Sequence, residues 1–166
     1  MKKMIMILAS ILLAVMTTFA QTTQDPAVQA VREKLEVVYD LGRVFGYIHT
    51  MDKEQKKLAL NSSQVKALLV IAEKILKTTR FEPKEAETLL KEIEDKILRP
   101  DQLTFVDSLA IAQASQRTPG SGTGSTGGVS PVQSYMNGGP FNPMLDTTRK
   151  IGQDFKAAYD YLKSKK

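Results

Sequence analysis

The chain has no cysteine and no tryptophan, and His49 is its single histidine in 166 residues. Without cysteine there can be no disulfide, no thiolate metal site and no lipid-modified cysteine behind a leader. One imidazole cannot assemble a transition-metal site by itself, and His49, with Asp52 three residues on, reads as a surface or helix-end histidine. Beyond the first twenty residues the methionines are Met51, Met136 and Met144, too scattered for a copper-binding tract. No G-x-S-x-G, H-E-x-x-H, Walker or dinucleotide-binding pattern occurs. Gly120, Gly122 and Gly124 lack the preceding strand and following helix of a phosphate loop, and read as low-complexity sequence. Acidic pairs such as Glu92 with Asp95 or Glu85 with Glu87 lack the loop glycine and carbonyl ligands of a calcium site. No catalytic, cofactor-binding or metal residue is therefore assigned, and the chain is expected not to be an enzyme.

Long apolar runs are scarce too. The one present, residues 4–16, follows Lys2 and Lys3 and precedes Thr18-Phe19-Ala20, the pattern of a secretory signal peptide cleaved after Ala20. It is shorter than the roughly 20 residues a spanning helix needs, so no stable membrane span is expected once the leader is removed. The product is expected to be periplasmic or secreted. Setting aside Lys2 and Lys3 takes the formal net charge from +5 to +3. That suits weak attraction to acidic surfaces, but lacks the clustered arginine, lysine and interleaved aromatics of a nucleic-acid binder.

What the chain does have is helical punctuation. Asp25 before Pro26 supplies a capping oxygen and a good first helical residue. The stripe Val28, Val31, Leu35, Val38, Leu41 and Phe45 then predicts an amphipathic helix. Gly42 and Gly46, four apart, signal either close packing against another helix or a bend. A second helix is predicted over residues 62–79, with Val65, Leu69, Ala72 and Leu76 on one stripe and Val70 opposite. It is greasy beyond one stripe, so it is expected to be central or shared with a second subunit. Glu82-Pro83 starts a third, running to about Lys96, whose many charges form a solvated face. A fourth starts at Pro100 and carries Leu103, Val106, Leu109 and Ala110 to about Gln116.

Residues 118–128 hold five glycines, two serines, three threonines and a proline, and residues 129–146 show no helical or strand period. Residues 118–146 are thus expected to be a disordered linker, with Tyr135, Met136 and Phe141 as a short docking patch at most. Asp146 or Thr147 is expected to cap a last amphipathic helix over residues 147–166, with Ile151, Phe155, Ala158, Tyr159 and Leu162 on one face and a basic end. That helix could dock in cis or on a partner. The expected class is all-α: antiparallel hairpins or a bundle of about four helices in residues 21–117, then the linker and the extra helix.

One device appears twice. Leu60-Asn61-Ser62-Ser63-Gln64-Val65 recurs in outline as Leu98-Arg99-Pro100-Asp101-Gln102-Leu103. Each copy has a leucine outside the helix, a glutamine at the third helical position and an apolar residue after it, the parts of a reciprocal cap with a hydrophobic staple. Arg99 is a poor cap, so the second start depends on Pro100, Gln102 and the Leu98–Leu103 staple.

Leu60, Asn61 and Gln64, with Leu98 and Gln102, resemble the motif of the LTxxQ family of periplasmic helical proteins, the Spy/CpxP-like chaperones and stress-response regulators. Leucine and glutamine match in both copies, while Asn61 and Arg99 stand where the family has threonine. The resemblance implies a small all-α homodimer with a concave surface that holds unfolded clients without ATP. Related members instead restrain an envelope stress sensor. The expected function is an exported, ATP-independent, holdase-like chaperone for unfolded or misfolded envelope proteins. Its client or dimer surface is expected at Val65, Leu68, Leu69, Val70, Ile71 and Phe105. The alternative is a non-enzymatic stress regulator or scaffold that docks through its helical surface or C-terminal helix.

Overall fold

A computed structural model describes residues 25–115 and 130–166, and the expected leader and residues 116–129 lie outside them. The described residues are almost wholly helical, with no strand among them. The helices are α1 (Pro26–Glu54), α2 (Ser62–Lys77), α3 (Pro83–Glu92), α4 (Pro100–Ser115), α5 (Pro131–Met136) and α6 (Lys150–Ser164).

The axis of the molecule is α1, 29 residues long and unbroken, or about 43 Å at 1.5 Å per residue. Asp25 caps it, its carboxylate accepting the Ala27 amide at 2.9 Å. Leu35, Val38, Leu41, Phe45, Ile48 and Met51 recur at three and four residues and are all buried. Around this stripe pack α3, α4, α5 and α6. The two glycines of α1 mark close packing, not a bend. A Cβ on Gly42 would lie 2.8 Å from Ile151 and 2.9 Å from Met144, while one on Gly46 would meet Asp154 at 3.4 Å. Here α6 sits almost on the α1 backbone, and Phe155 meets Phe45 edge to face with ring centroids 5.1 Å apart.

Helix α3 runs into a π-helical turn, Ile93–Ile97, closed by the Leu98 amide donating to the Ile93 carbonyl at 2.9 Å. The last helix begins later than Asp146 or Thr147 would place it. The Asp146 carboxylate binds the Thr148 amide and hydroxyl in a turn of its own, and α6 opens at Lys150. Its Gly152 is sterically required, because a Cβ there would lie 2.1 Å from the Asp146 carbonyl oxygen.

The expectation of disorder fails for residues 130–146. Val132, Phe141 and Met144 are buried in the same core as α1 and α2. Asn142 donates its side-chain amide to the carbonyls of Ile75 (2.9 Å) and Thr78 (2.6 Å), satisfying the end of α2. Arg80 donates to the carbonyls of Tyr135 and Gly139 and lies 4.0 Å over the Tyr135 ring. Phe141 exchanges backbone bonds with Thr79 and Phe81. This segment is held by three isolated apolar anchors and by polar bonds to distant carbonyls, so it carries no period. The remainder of the expected linker, residues 118–129, lies outside the described residues.

Candidate functional site

The two punctuation motifs meet in space. At the first, the Asn61 side chain accepts the Gln64 amide at 2.9 Å, while Gln64 Oε1 accepts the Asn61 amide at 3.0 Å, a complete capping box. At the second, Gln102 Oε1 accepts the Arg99 amide at 2.9 Å, the half of the box that needs no capping side chain at Arg99. Each glutamine has its side-chain nitrogen left, and each gives it to the other copy. Gln64 Nε2 donates to the Ile97 carbonyl and to Gln102 Oε1, both at 2.7 Å. Gln102 Nε2 donates to the Leu58 carbonyl at 2.9 Å and lies 3.5 Å from the Ala59 carbonyl. The exchange is reciprocal but uneven, because Gln64 bonds the Ile97 carbonyl directly before the second motif while Gln102 reaches chiefly the Leu58 carbonyl, one residue further back. Gln102 is 0% exposed, Gln64, Leu60 and Leu98 are buried beside it, and no buried polar side-chain atom among the described residues lacks a partner. The π-helical turn of Ile93–Ile97 precedes Leu98, leaving the Ile97 carbonyl to accept Gln64.

This node is structural chemistry. It is a saturated amide network with no group free to bind or react, and it locks the starts of α2 and α4 together.

The expected client or dimer surface divides. Val65, Leu68, Leu69 and Ile71 are buried within the chain, which corrects their assignment to a surface. The breadth of α2 is used internally, against α6, the short helix at Pro143–Leu145 and the π-helical turn after α3. Two of these three come from the C-terminal segment that showed no contact in the sequence pattern. Val65, Leu68, Leu69 and Ile71 therefore offer no surface for a dimer interface, and on their side of α2 Leu76 is exposed to 38%. Val70 stays open at 68% exposure, and Phe105 is half-buried.

Val70, Leu76, Met136 and Leu145 are exposed at scattered places, and α4 carries Ile111 among further half-buried and exposed apolar residues. Of its residues only Gln102 and Val106 are fully buried. Leu103, Phe105, Leu109 and Ala110 are half-buried, and Ile111, Ala112 and Ala114 are exposed, Ile111 to 68%. No charged residue occurs from Ser108 to Ser115. Between α4 and α1 lies an open cleft of about 270 Å³ lined by Tyr47, Thr50, Leu109, Ala112 and Gln113. The Tyr47 hydroxyl donates to Gln113 Oε1 at 2.8 Å across it, fixing the spacing of the two helices.

Titratable groups gather at a different place, the end of α1. Burial alone would raise the Asp52 carboxyl, but bonds from Lys165, the Leu60 amide and Tyr161 hold it below its ordinary value. Burial would lower Lys165, and the same carboxylate holds it above the usual lysine range. His49 is lowered by burial first and by Lys53 second, and its ring lies 4.7 Å from that of Tyr161. Among the described residues no group of three or more histidine, aspartate or glutamate side chains could hold a metal ion. No described helix is long and apolar enough to cross a membrane.

No protein-family model, curated protein or solved structure matches this chain significantly.

Proposed function

We propose that the protein is an exported, ATP-independent, holdase-like chaperone that binds apolar stretches of unfolded or misfolded envelope proteins along α4. The observation that carries this reading is the uncharged second half of α4, left open beside a cleft after the rest of the core is closed. An open apolar helix face rimmed by polar residues is one setting in which polypeptides are bound. A shallow, uncharged strip without deep specific pockets suits many short apolar sequences rather than one. The LTxxQ-like punctuation at Leu60–Gln64 and Leu98–Gln102 supports the same family of functions, as does the leader-like start of the chain.

The competing reading, a regulator that docks its terminal helix on an envelope partner, is weakened by one observation. Phe155, Ala158 and Leu162, the apolar face of α6, are already buried against α1 within the chain. A regulator acting through its helical surface would use the same α4 strip, and differs in recognising one partner.

The purified protein is expected to slow aggregation of several unrelated unfolded clients at near-stoichiometric ratio, and Leu109→Asp with Ile111→Asp to abolish this without changing the fold. Failure with every client at low salt removes the chaperone reading. Protection of only one envelope protein selects the regulator.

A further inference from the structure

The chain after α1 closes back on itself, because the Asp52 carboxylate accepts the Leu60 amide and residues 53–59 circle that one buried group. The same carboxylate holds Nζ of Lys165, which brings the end of α6 onto the end of α1. Lys165 also lies 5.5 Å over the Tyr161 ring, which packs against His49. This latch gathers lysines at one pole of the molecule. Lys53 in the last turn of α1, Lys56 and Lys57 in the loop, and Lys163 and Lys166 beside the latch are all exposed. Asp52 is neutralised by Lys165, Glu54 is the remaining acid in residues 52–60 and 161–166, and nearby Asp160 is paired with Lys156.

We propose that this lysine pole is a docking surface for an anionic lipid bilayer. A discrete anion is recognised by converging donors or by the fork of an arginine, whereas the pole has exposed lysines, one of them, Lys163, lying over the Tyr159 ring, and no arginine. A single-stranded polynucleotide needs open aromatic faces, whereas the Tyr161 ring is taken up by Lys165 and His49. A headgroup layer asks only for several like charges at one end of a rigid body, which the latch supplies. The exposed large apolar side chains Val70, Leu76, Ile111, Met136 and Leu145 all lie outside residues 52–60 and 161–166. Attachment is therefore electrostatic and reversible by salt, without insertion into the acyl region. Thr50, which lines the cleft beside the α4 strip, lies one helical turn before Lys53, so the pole adjoins that strip.

The test is co-sedimentation of the full chain with phosphatidylglycerol-containing vesicles and with phosphatidylcholine vesicles, across a salt series. Binding to the anionic vesicles and release by salt are expected. Each lysine close to an anionic leaflet contributes roughly a five-fold factor, so Lys53→Gln, Lys56→Gln and Lys57→Gln together should weaken binding about a hundred-fold. Matched removal of Lys84, Lys91 and Lys96 on and after α3 should change it only a few-fold, with circular dichroism confirming both variants folded. Equal binding by the wild type and the loop variant overturns the proposal. So does equal weakening by the two triple variants, which would mean that net charge alone is read. Competition by inorganic phosphate beyond that of sodium chloride at matched ionic strength would replace the bilayer with a discrete anion site.

Discussion

Gln64 and Gln102 show how one side chain can serve two helices. Each spends its oxygen on the amide that opens its own helix and its nitrogen on a carbonyl of the other motif. An isolated cap is worth about 1 kcal/mol, but removing Gln102 also strands the part-buried Leu58 carbonyl and one bond of the buried Gln64. A buried polar group that loses its partner costs about 1–3 kcal/mol. Gln102→Ala is therefore expected to lower stability by about 2–4 kcal/mol, well beyond a simple cap, as read by urea denaturation. Gln64→Ala should fall in the same range, and the double variant should cost at least about 0.5 kcal/mol less than the sum, because the two share a bond. Strict additivity would mean that the two side chains do not act as a pair. The local half of this arrangement is legible in the sequence, since the spacing from Asn61 to Gln64 and the recurrence at Gln102 both announce a cap. The other half is not. Nothing in either motif says that its spare nitrogen points at the other copy, because that depends on how α2 and α4 come together.

Among the elements, α1 and α6 make the closest contact, and the two glycines of α1 should answer differently to the same substitution. Alanine gains about 1 kcal/mol over glycine inside a helix. At Gly46 its methyl meets only Asp154 at 3.4 Å, so Gly46→Ala is expected to be neutral or stabilising by up to about 1 kcal/mol. At Gly42 it would press on Ile151 and Met144 at under 3 Å, and overpacking of about 1–3 kcal/mol outweighs the gain. Gly42→Ala should therefore lower the melting temperature where Gly46→Ala keeps or raises it. The far end of the same helix pair depends on pH through Asp52. Its folded pKa lies below the ordinary value near 3.9, so its contribution is complete above about pH 4 and is lost as pH falls through the folded value. Lys165 is raised, so its share is lost only as pH rises through a folded value above the usual lysine range. Asp52→Asn should melt earlier than the wild type at neutral pH, and the two curves should converge on acidification. Parallel curves down to the acid end would remove the latch. Helix starts at Asp25, Asn61 and Pro100 were readable because a cap is a local event. The latch was not, since Asp52 and Lys165 lie 113 residues apart and neither has an unusual neighbour in sequence.

For the molecule as a whole, the sequence pattern suggests a dimeric body of about four helices trailing a tethered helix, and the fold assigns the trailing part to the core. Periodicity finds helices by their stripes, so α1 to α4 and most of α6 are visible to it. A segment such as residues 130–146, with Val132, Phe141 and Met144 as single anchors and Asn142 bonded to the end of α2, presents no stripe to find. Reading that segment as a linker also made α2 look too apolar for its own chain, and so placed an outer surface at Val65, Leu68, Leu69 and Ile71. The consequence is a prediction opposite to that of a detachable tail. Ending the chain after Ser115 would uncover Phe45 and the glycine face of α1, the α6-facing side of α2, and the carbonyls of Ile75 and Thr78 that Asn142 satisfies, and would remove the core residues Val132, Phe141, Met144, Phe155 and Leu162. Each large apolar side chain returned to water forfeits about 1.5–3 kcal/mol. Losing several is comparable to the about 5–15 kcal/mol by which a domain of this size is stable. The truncated chain is expected to lose its cooperative thermal transition and to bind a hydrophobic dye at room temperature. Supplying residues 130–166 as a separate peptide should restore part of the transition, because the groove on α1 is the one they fill in cis. A sharp transition in the truncated chain, close to that of the intact protein, would show that the body folds alone and that α5 and α6 only rest on its surface.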